Sequence, residues 1–302
     1  MKHLPLKNTT YKNLENGFTN WLETLGYARS TVDGSPSYVK AFFFYLESKE
    51  IFFIDKITNY VIRDYFVYLS RRKNQNKAGS LSLNSLRNNL GALKRFGKYL
   101  RETEQGNLEV EMHLPVNKYP AKEILTQKEI KELYEATDQT ILGMRDKAML
   151  SVYYGCGLRR NEGVSLNVED ILLDRNKLIV RKGKGYKERI VPITGIIKDD
   201  LESYMNYART VLTERNPQEK AFFIGSRGNR ISGNMLYERL KQLREKAGII
   251  KETGLHTLRH SIATHLLQDG MQIEYVSQFL GHSSLESTQI YTHLSAEGGL
   301  IK

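Results

Sequence analysis

One cysteine in 302 residues, Cys156, leaves no partner for an internal disulfide and no thiolate set for a cysteine-rich zinc module. No apolar run approaches the roughly 20 residues that a membrane span needs. The opening stretch MKHLPLKNTTYKNLENG lacks the apolar core of a secretory signal, so a soluble, cytoplasmic protein is expected, with no membrane partner. Two catalytic signatures are missing as well. RKGKGYKER at 181–189 is not a phosphate-cradling GxxxxGK[ST] loop: Leu178 stands where the first glycine belongs, and no Ser or Thr follows Lys184. The histidines of LHTLRHSIATHLL at 255–267 have no HExxH glutamate and no third ligand at helical spacing, so neither ATP chemistry nor a zinc centre is expected: no cofactor, no metal. There is no internal repeat and no low-complexity tract.

What is present is positive charge, unevenly spread. Residues 1–101 carry 17 Lys and Arg against 7 Asp and Glu, which leaves 28 against 27 for the remainder. A basic first third joined to a near-neutral remainder is the footprint of a polyanion grip attached to something else; a solvated lysine-rich surface would give the same count.

The length allows two domains. Tyr11, Leu14, Phe18, Trp21, Leu22 and Leu25 recur at helical spacing, and the breaker-rich SPS at 35–37 is expected to precede a second helix through VKAFFFYLESK. Ile62, Tyr65, Phe66 and Leu69 mark a third helix. In the fourth, LNSLRNNLGALKRFGKYL, Leu83, Leu86, Leu90, Leu93 and Phe96 lie on one side, with Arg87, Asn88, Lys94, Arg95 and Lys98 elsewhere. The domain expectation is therefore a basic helical domain over 1–106, a linker at 107–125 bearing Pro115 and Pro120, and a second domain over 126–302. TQKE at 126–129 has the form of a capping box. Helices are expected over 143–154 and 160–166, then a basic-tipped hairpin from LIVRKG and ERIVPI. Further helices follow near 195–213, 232–247, 257–268, 272–280 and 284–294. The fold class is mainly α with a small β-sheet.

Taken singly, the chemistry-bearing stretches are ambiguous. GCGLRRNEG at 155–163 reads as readily as a surface arginine pair with Glu162 for a partner, and the hairpin tip as a solvated turn. His256 and Arg259, three apart, share a face over the first turn of a helix, where unpaired N–H groups favour an anion; histidines capped within a core are the competing reading. In LGHSSLESTQIYTHL at 280–294, Gly281 ends one helix and Ser283 with Glu286 caps the next. Tyr291 alone would be half-buried packing in a chain with 18 tyrosines.

In order and spacing, however, GLR at 157–159 with Glu162, GKGxKER at 183–189, HTLRH at 256–260, LGH at 280–282 and Tyr291 resemble the tyrosine recombinase (phage integrase) family over nearly the whole chain. The resemblance implies a SAM-like helical core-binding domain and a mixed α/β catalytic domain that clamp duplex DNA. It also implies strand cleavage and rejoining through a 3′-phosphotyrosine. Tyr291 is then the nucleophile, Arg159 and Arg259 grip the phosphate, His282 donates to it, His256 is the general base and Lys184 the acid; Glu162 and His260 support them. The fourth helix matches the element that enters the major groove, making Arg87, Asn88, Lys94 and Arg95 candidate DNA contacts, with 232–248 a second candidate. Cys156 stands where the family commonly has a small hydroxyl residue. Only eleven residues follow Tyr291, where relatives often extend a C-terminal helix into a neighbouring subunit, so that mode of subunit coupling is not expected. No further N-terminal arm-binding domain is evident, which favours a simple Xer-like or Cre-like recombinase over a phage λ-like integrase with arm sites. The implied partners are double-stranded DNA with short inverted-repeat core sites, a homo-tetramer formed as a dimer of dimers on DNA, and a heterologous recombinase or accessory protein. A type IB topoisomerase or a non-catalytic DNA-binding protein are the alternatives.

Overall fold

A computed structural model describes residues 5–72, 79–115, 123–181, 188–193 and 195–281. The chain forms two compact units, Met1–Lys118 and Tyr119–Lys302, each with its own apolar core. No helix among the described residues is long and apolar enough to cross a membrane.

The first unit is all helical: α1 (Thr9–Thr24), α2 (Arg29–Glu47), α3 (Asn59–Arg71) and α4 (Leu83–Glu102). Three of the four begin at a polar cap. The side chains of Asn8, Thr58 and Ser82 accept from the backbone N–H three residues on, satisfying donors that the first turn leaves orphaned. Their apolar faces meet in an aromatic core, with Tyr11 stacked on Phe43 at 4.2 Å and Phe18 edge-on to Phe96 at 5.4 Å between ring centroids.

Two expectations are corrected here. The helix does not begin after SPS: α2 starts at Arg29 and runs through Pro36. Pro36 costs one backbone bond, but Val32, Ser35, Pro36 and Val39 are all buried, and Arg95 Nη2 on α4 donates to Ser35 Oγ at 3.1 Å. Packing thus outweighs the local breaker. Leu25 lies past the end of α1 and is exposed, so it does not extend the apolar stripe.

The segment after α4 packs back on the first unit. Leu108 is buried, and a Cβ on Gly97 would stand 2.3 Å from the Leu108 carbonyl oxygen. Because that neighbour is backbone, Gly97→Ala is expected to lift this segment from α4 and destabilise the unit by about 1–3 kcal/mol. Chemical denaturation of the full chain would read this as a lower midpoint for the first unit.

The second unit opens with α5 (Gln127–Glu135), whose capping box is complete: Thr126 Oγ1 accepts from Glu129 N, and Glu129 Oε2 accepts from Thr126 N at 2.7 Å. Then come α6 (Ile141–Leu150), a π-turn over Ser151–Gly155, and α7 (Arg160–Ser165). Three short strands, β1 (Ile171–Leu172), β2 (Lys177–Val180) and β3 (Arg189–Pro192), form an antiparallel sheet in chain order, with Val180 opposite Arg189. The hairpin falls where the sequence places it; β1, two residues long, is too short to show alternation. Next, α8 (Ile196–Ser203) passes through a second π-turn, Tyr204–Ala208, into α9 (Arg209–Leu212). The unit continues with α10 (Gly233–Lys246), α11 (Leu255–Gln268) and α12 (Ile273–Leu280). The helix expected over 284–294 lies outside the described residues.

Candidate active site

The site is built where the π-turn ends. Cys156 N bonds back five residues to Ser151 O at 2.9 Å, and Gly157 then takes φ +60°, releasing the chain toward α7. A Cβ on Gly157 would also stand 2.9 Å from Phe279 Cε1, so glycine is needed for conformation and for room. Arg159 occupies the N-cap of α7. Glu162, one turn on, reaches back with one oxygen to Arg159 N at 2.8 Å and with the other to Arg159 Nη1 at 2.7 Å. The i, i+3 spacing alone makes this pair possible.

Two further arginines arrive from distant chain. Arg189, the first residue of β3, donates through Nη2 to Glu162 Oε2 at 2.8 Å. Arg259 on α11 is buried, and its Nη1 lies 3.9 Å from Glu162 Oε2. Three guanidinium groups therefore surround one carboxylate. Burial by itself pushes the Glu162 carboxyl upward, but the hydrogen bonds and charge of Arg189, with the bonds from Arg159, outweigh it and hold the group down at about 2. Glu162 is ionised at any working pH, and the cluster keeps a surplus of two positive charges.

The same arginines cap α12. Its last carbonyls have no partner within the helix. Phe279 O accepts from Arg189 Nε at 3.2 Å, Leu280 O from Arg259 Nη2 at 2.7 Å, and Gly281 O from Arg159 Nη2 at 2.9 Å. Arg259 Nη1 also donates to Gly157 O at 2.5 Å. Three successive carbonyls thus fix the planes of three guanidinium groups at the negative end of a helix dipole. Gly281, in the left-handed conformation at φ +64°, turns the chain there, immediately before His282 in sequence.

His256 stands exposed in the first turn of α11, one turn before Arg259, and His260 is half-buried one turn after His256. Thr257 Oγ1 accepts from Gly254 N at 3.1 Å and so helps to start that helix. Lys184, His282 and Tyr291 lie outside the described residues. Cys156 is fully buried, and desolvation pushes its thiol up to about 12, so it is not a reactive group at neutral pH. Among the described residues no cluster of three or more His, Cys, Asp or Glu side chains could hold a metal ion.

Arg189 is the member with no local signal in the sequence: it stands there only as the last cation of RKGKGYKER, and nothing local ties it to Glu162, 27 positions earlier. His265 likewise has no spacing that marks it. It is buried on α11 with Nδ1 2.9 Å from Tyr154 Oη, and burial lowers its basicity, which fits a neutral packing residue.

In the first unit, Arg87, Asn88, Gly91, Lys94, Arg95 and Lys98 fall within about a third of the circumference of α4, opposite its buried side. Asn88 and Lys94 are exposed; Arg87 Nη2 donates to Pro115 O, and Arg95 is partly engaged with Ser35. The second candidate, α10, is more committed to structure: Arg239 binds the buried Asp146, and Arg244 donates to Lys251 O at 3.4 Å.

Residues 123–297 match the phage integrase family. The chain is 34% identical to the tyrosine recombinase XerC of Oceanobacillus iheyensis, the similarity covering 90% of each protein. It is 33% identical to the tyrosine recombinase XerD of Bifidobacterium longum, over 94% of this chain and 96% of that one. Among solved structures, the XerH site-specific recombinase in a post-cleavage complex with a palindromic difH substrate shares the fold: TM-score 0.71, 21% identity, 97% of this chain and 89% of that one covered. With the family matched over more than half of the chain and relatives of this identity along nine-tenths of it, the protein belongs to the phage integrase family and is a tyrosine recombinase, an enzyme that cleaves and rejoins DNA.

Proposed function

We propose that the arginine cluster around Glu162 is the phosphate-gripping half of a site that recombines DNA at specific short inverted repeats. The observation that carries this reading is the surplus positive charge held in fixed planes by the end of α12. A phosphodiester in transit carries charge on its non-bridging oxygens, and planar guanidinium forks that need no reorganisation are suited to stabilise it. Arg159, with about a quarter of its side chain exposed, is the more open fork, and Arg259 the more deeply set.

In the proposed reaction the Tyr291 hydroxyl attacks phosphorus, a 3′-phosphotyrosine forms, and the bond to the 5′-oxygen breaks. His256 takes the phenolic proton, needed because an ordinary tyrosine, with a pKa near 10, is scarcely ionised at neutral pH. Lys184 returns a proton to the leaving 5′-oxygen, while His282 donates to the phosphate. Glu162 and His260 keep the arginines and α11 in place. A 5′-hydroxyl from a partner strand reverses the step, and since the ester linkage is conserved no ATP is consumed. Residues 1–106 grip the duplex through the basic face of α4, with Arg87, Asn88, Lys94 and Arg95 as contacts; 107–125 links this domain to the catalytic domain, 126–302. The assembly is a tetramer, a dimer of dimers on two DNA sites in the cytoplasm, with a second recombinase or accessory protein as a further partner.

The test is to express the protein, stop cells with denaturant, capture covalent protein–DNA adducts and sequence their 3′ ends, with Tyr291→Phe and Tyr275→Phe as paired controls. Ends at a few inverted repeats, lost in Tyr291→Phe and kept in Tyr275→Phe, are expected. Dispersed ends would indicate topoisomerase-like relaxation instead, and adducts surviving in Tyr291→Phe would remove the nucleophile assignment.

A further inference from the structure

We infer that Arg189 is a positioning residue for strand cleavage: one guanidinium that ties the hairpin strand β3 both to Glu162 and to the end of α12. The inference rests on the site reading proposed above. Its two bonds diverge, Nη2 to Glu162 Oε2 at 2.8 Å and Nε to Phe279 O at 3.2 Å, so the group bridges two elements. Its side chain is only 11% exposed, which separates it from the solvated surface pairs of this chain, such as Lys128 with Glu132.

A second, independent observation is steric. Gly281 lies so close over the arginine stem that a Cβ there would stand 2.7 Å from Arg189 Cδ, and the same glycine has φ +64°. The turn before His282 is thus shaped around Arg189. Arg189 is the first residue of β3, so one side chain ties the start of that strand to the last turn of α12; in sequence, Lys184 stands five positions before it and His282 directly after Gly281. Glu162 in turn holds Arg159 and faces Arg259. When Arg189 is lost, the Glu162 oxygen that it holds is released to the other arginines and their planes shift. A displacement of about an ångström at a reacting centre is enough to cost on the order of 10²-fold in rate.

Lysine cannot replace it. An ammonium supplies the charge but no planar fork to hold Glu162 and Phe279 O together.

The experiment uses the full chain and a nicked duplex bearing the inverted repeat recovered from adduct mapping, with protein in excess so that cleavage is single-turnover. Arg189→Gln and Arg189→Lys are each expected to slow adduct formation on the order of 10²-fold, with duplex affinity within about threefold of wild type (under 1 kcal/mol) and melting above the assay temperature. In the double variant with Glu162→Gln, the combined slowing should be smaller than the product of the two single effects, because both act through one carboxylate. Full cleavage by Arg189→Lys would overturn the inference, as would multiplicative effects in the double variant or a loss confined to DNA affinity. A wild-type protein that forms no adduct on that duplex would instead remove the recombinase site reading.

Discussion

Arg259→Ala is expected to lower single-turnover strand cleavage by about 10³-fold or more, since removal of one preorganised donor to a developing oxyanion commonly costs 10²–10³-fold. It should also weaken the second unit. Arg259 is buried, and its two nitrogens serve Gly157 O and Leu280 O, which lie at the two turns that frame the site. Without the guanidinium both carbonyls lose their donor in a dry interior, at about 1–3 kcal/mol each, and the melting temperature should fall on the order of 10 °C. Arg259→Lys separates the two effects. It keeps a positive charge near Glu162 and recovers part of the stability, but a single ammonium cannot span both carbonyls and present a fork to phosphate. Cleavage should remain about 10²-fold down. Calorimetry and adduct formation on one duplex read the two quantities apart; wild-type cleavage by the lysine variant would show that charge alone suffices.

Glu162→Gln should produce the second large effect, and one with a pH signature. The folded carboxyl sits at about 2 against an ordinary value of 4.5. A depressed value favours the folded state above the unfolded value and loses that contribution as pH falls through the folded one. The difference corresponds to roughly 3 kcal/mol at neutral pH, fading between about pH 5 and pH 2. The variant is therefore expected to be less stable than wild type by about that much at pH 7, with the gap clearly narrower at pH 3.5. A gap independent of pH would mean that shape rather than charge holds the three arginines. Cleavage should fall as well, because the carboxylate is what keeps three like charges in one cluster.

Much of this arrangement could be read along the chain. The capping box at Thr126, the apolar stripe of α4, the hairpin, the glycine end of α12 and the pairing of Arg159 with Glu162 all depend on residues within about one turn or one hairpin of each other. Local hydrogen bonding and side-chain period determine them. Where local signals and packing conflict, as at Pro36, the reading fails: buried neighbours on α2 and a serine bonded from α4 carry the helix through the breaker. Two-residue β1 and the π-turns leave no period to detect.

The sequence by itself determined the class of chemistry. The ordered motifs GLR, GKGxKER, HTLRH, LGH and Tyr291 resemble the tyrosine recombinase family, and that resemblance implies phosphodiester chemistry on DNA; the basic first third and the missing phosphate-loop and metal-ligand spacings agree with it. Only the tertiary structure decided how its arginines are held. Arg189 meets Glu162 across 27 positions and Arg259 meets Gly157 across 102, and the last carbonyls of α12 align all three guanidinium groups. A guanidinium carries its charge wherever it stands in a chain, but the direction of its fork is fixed by acceptors that only folding brings together.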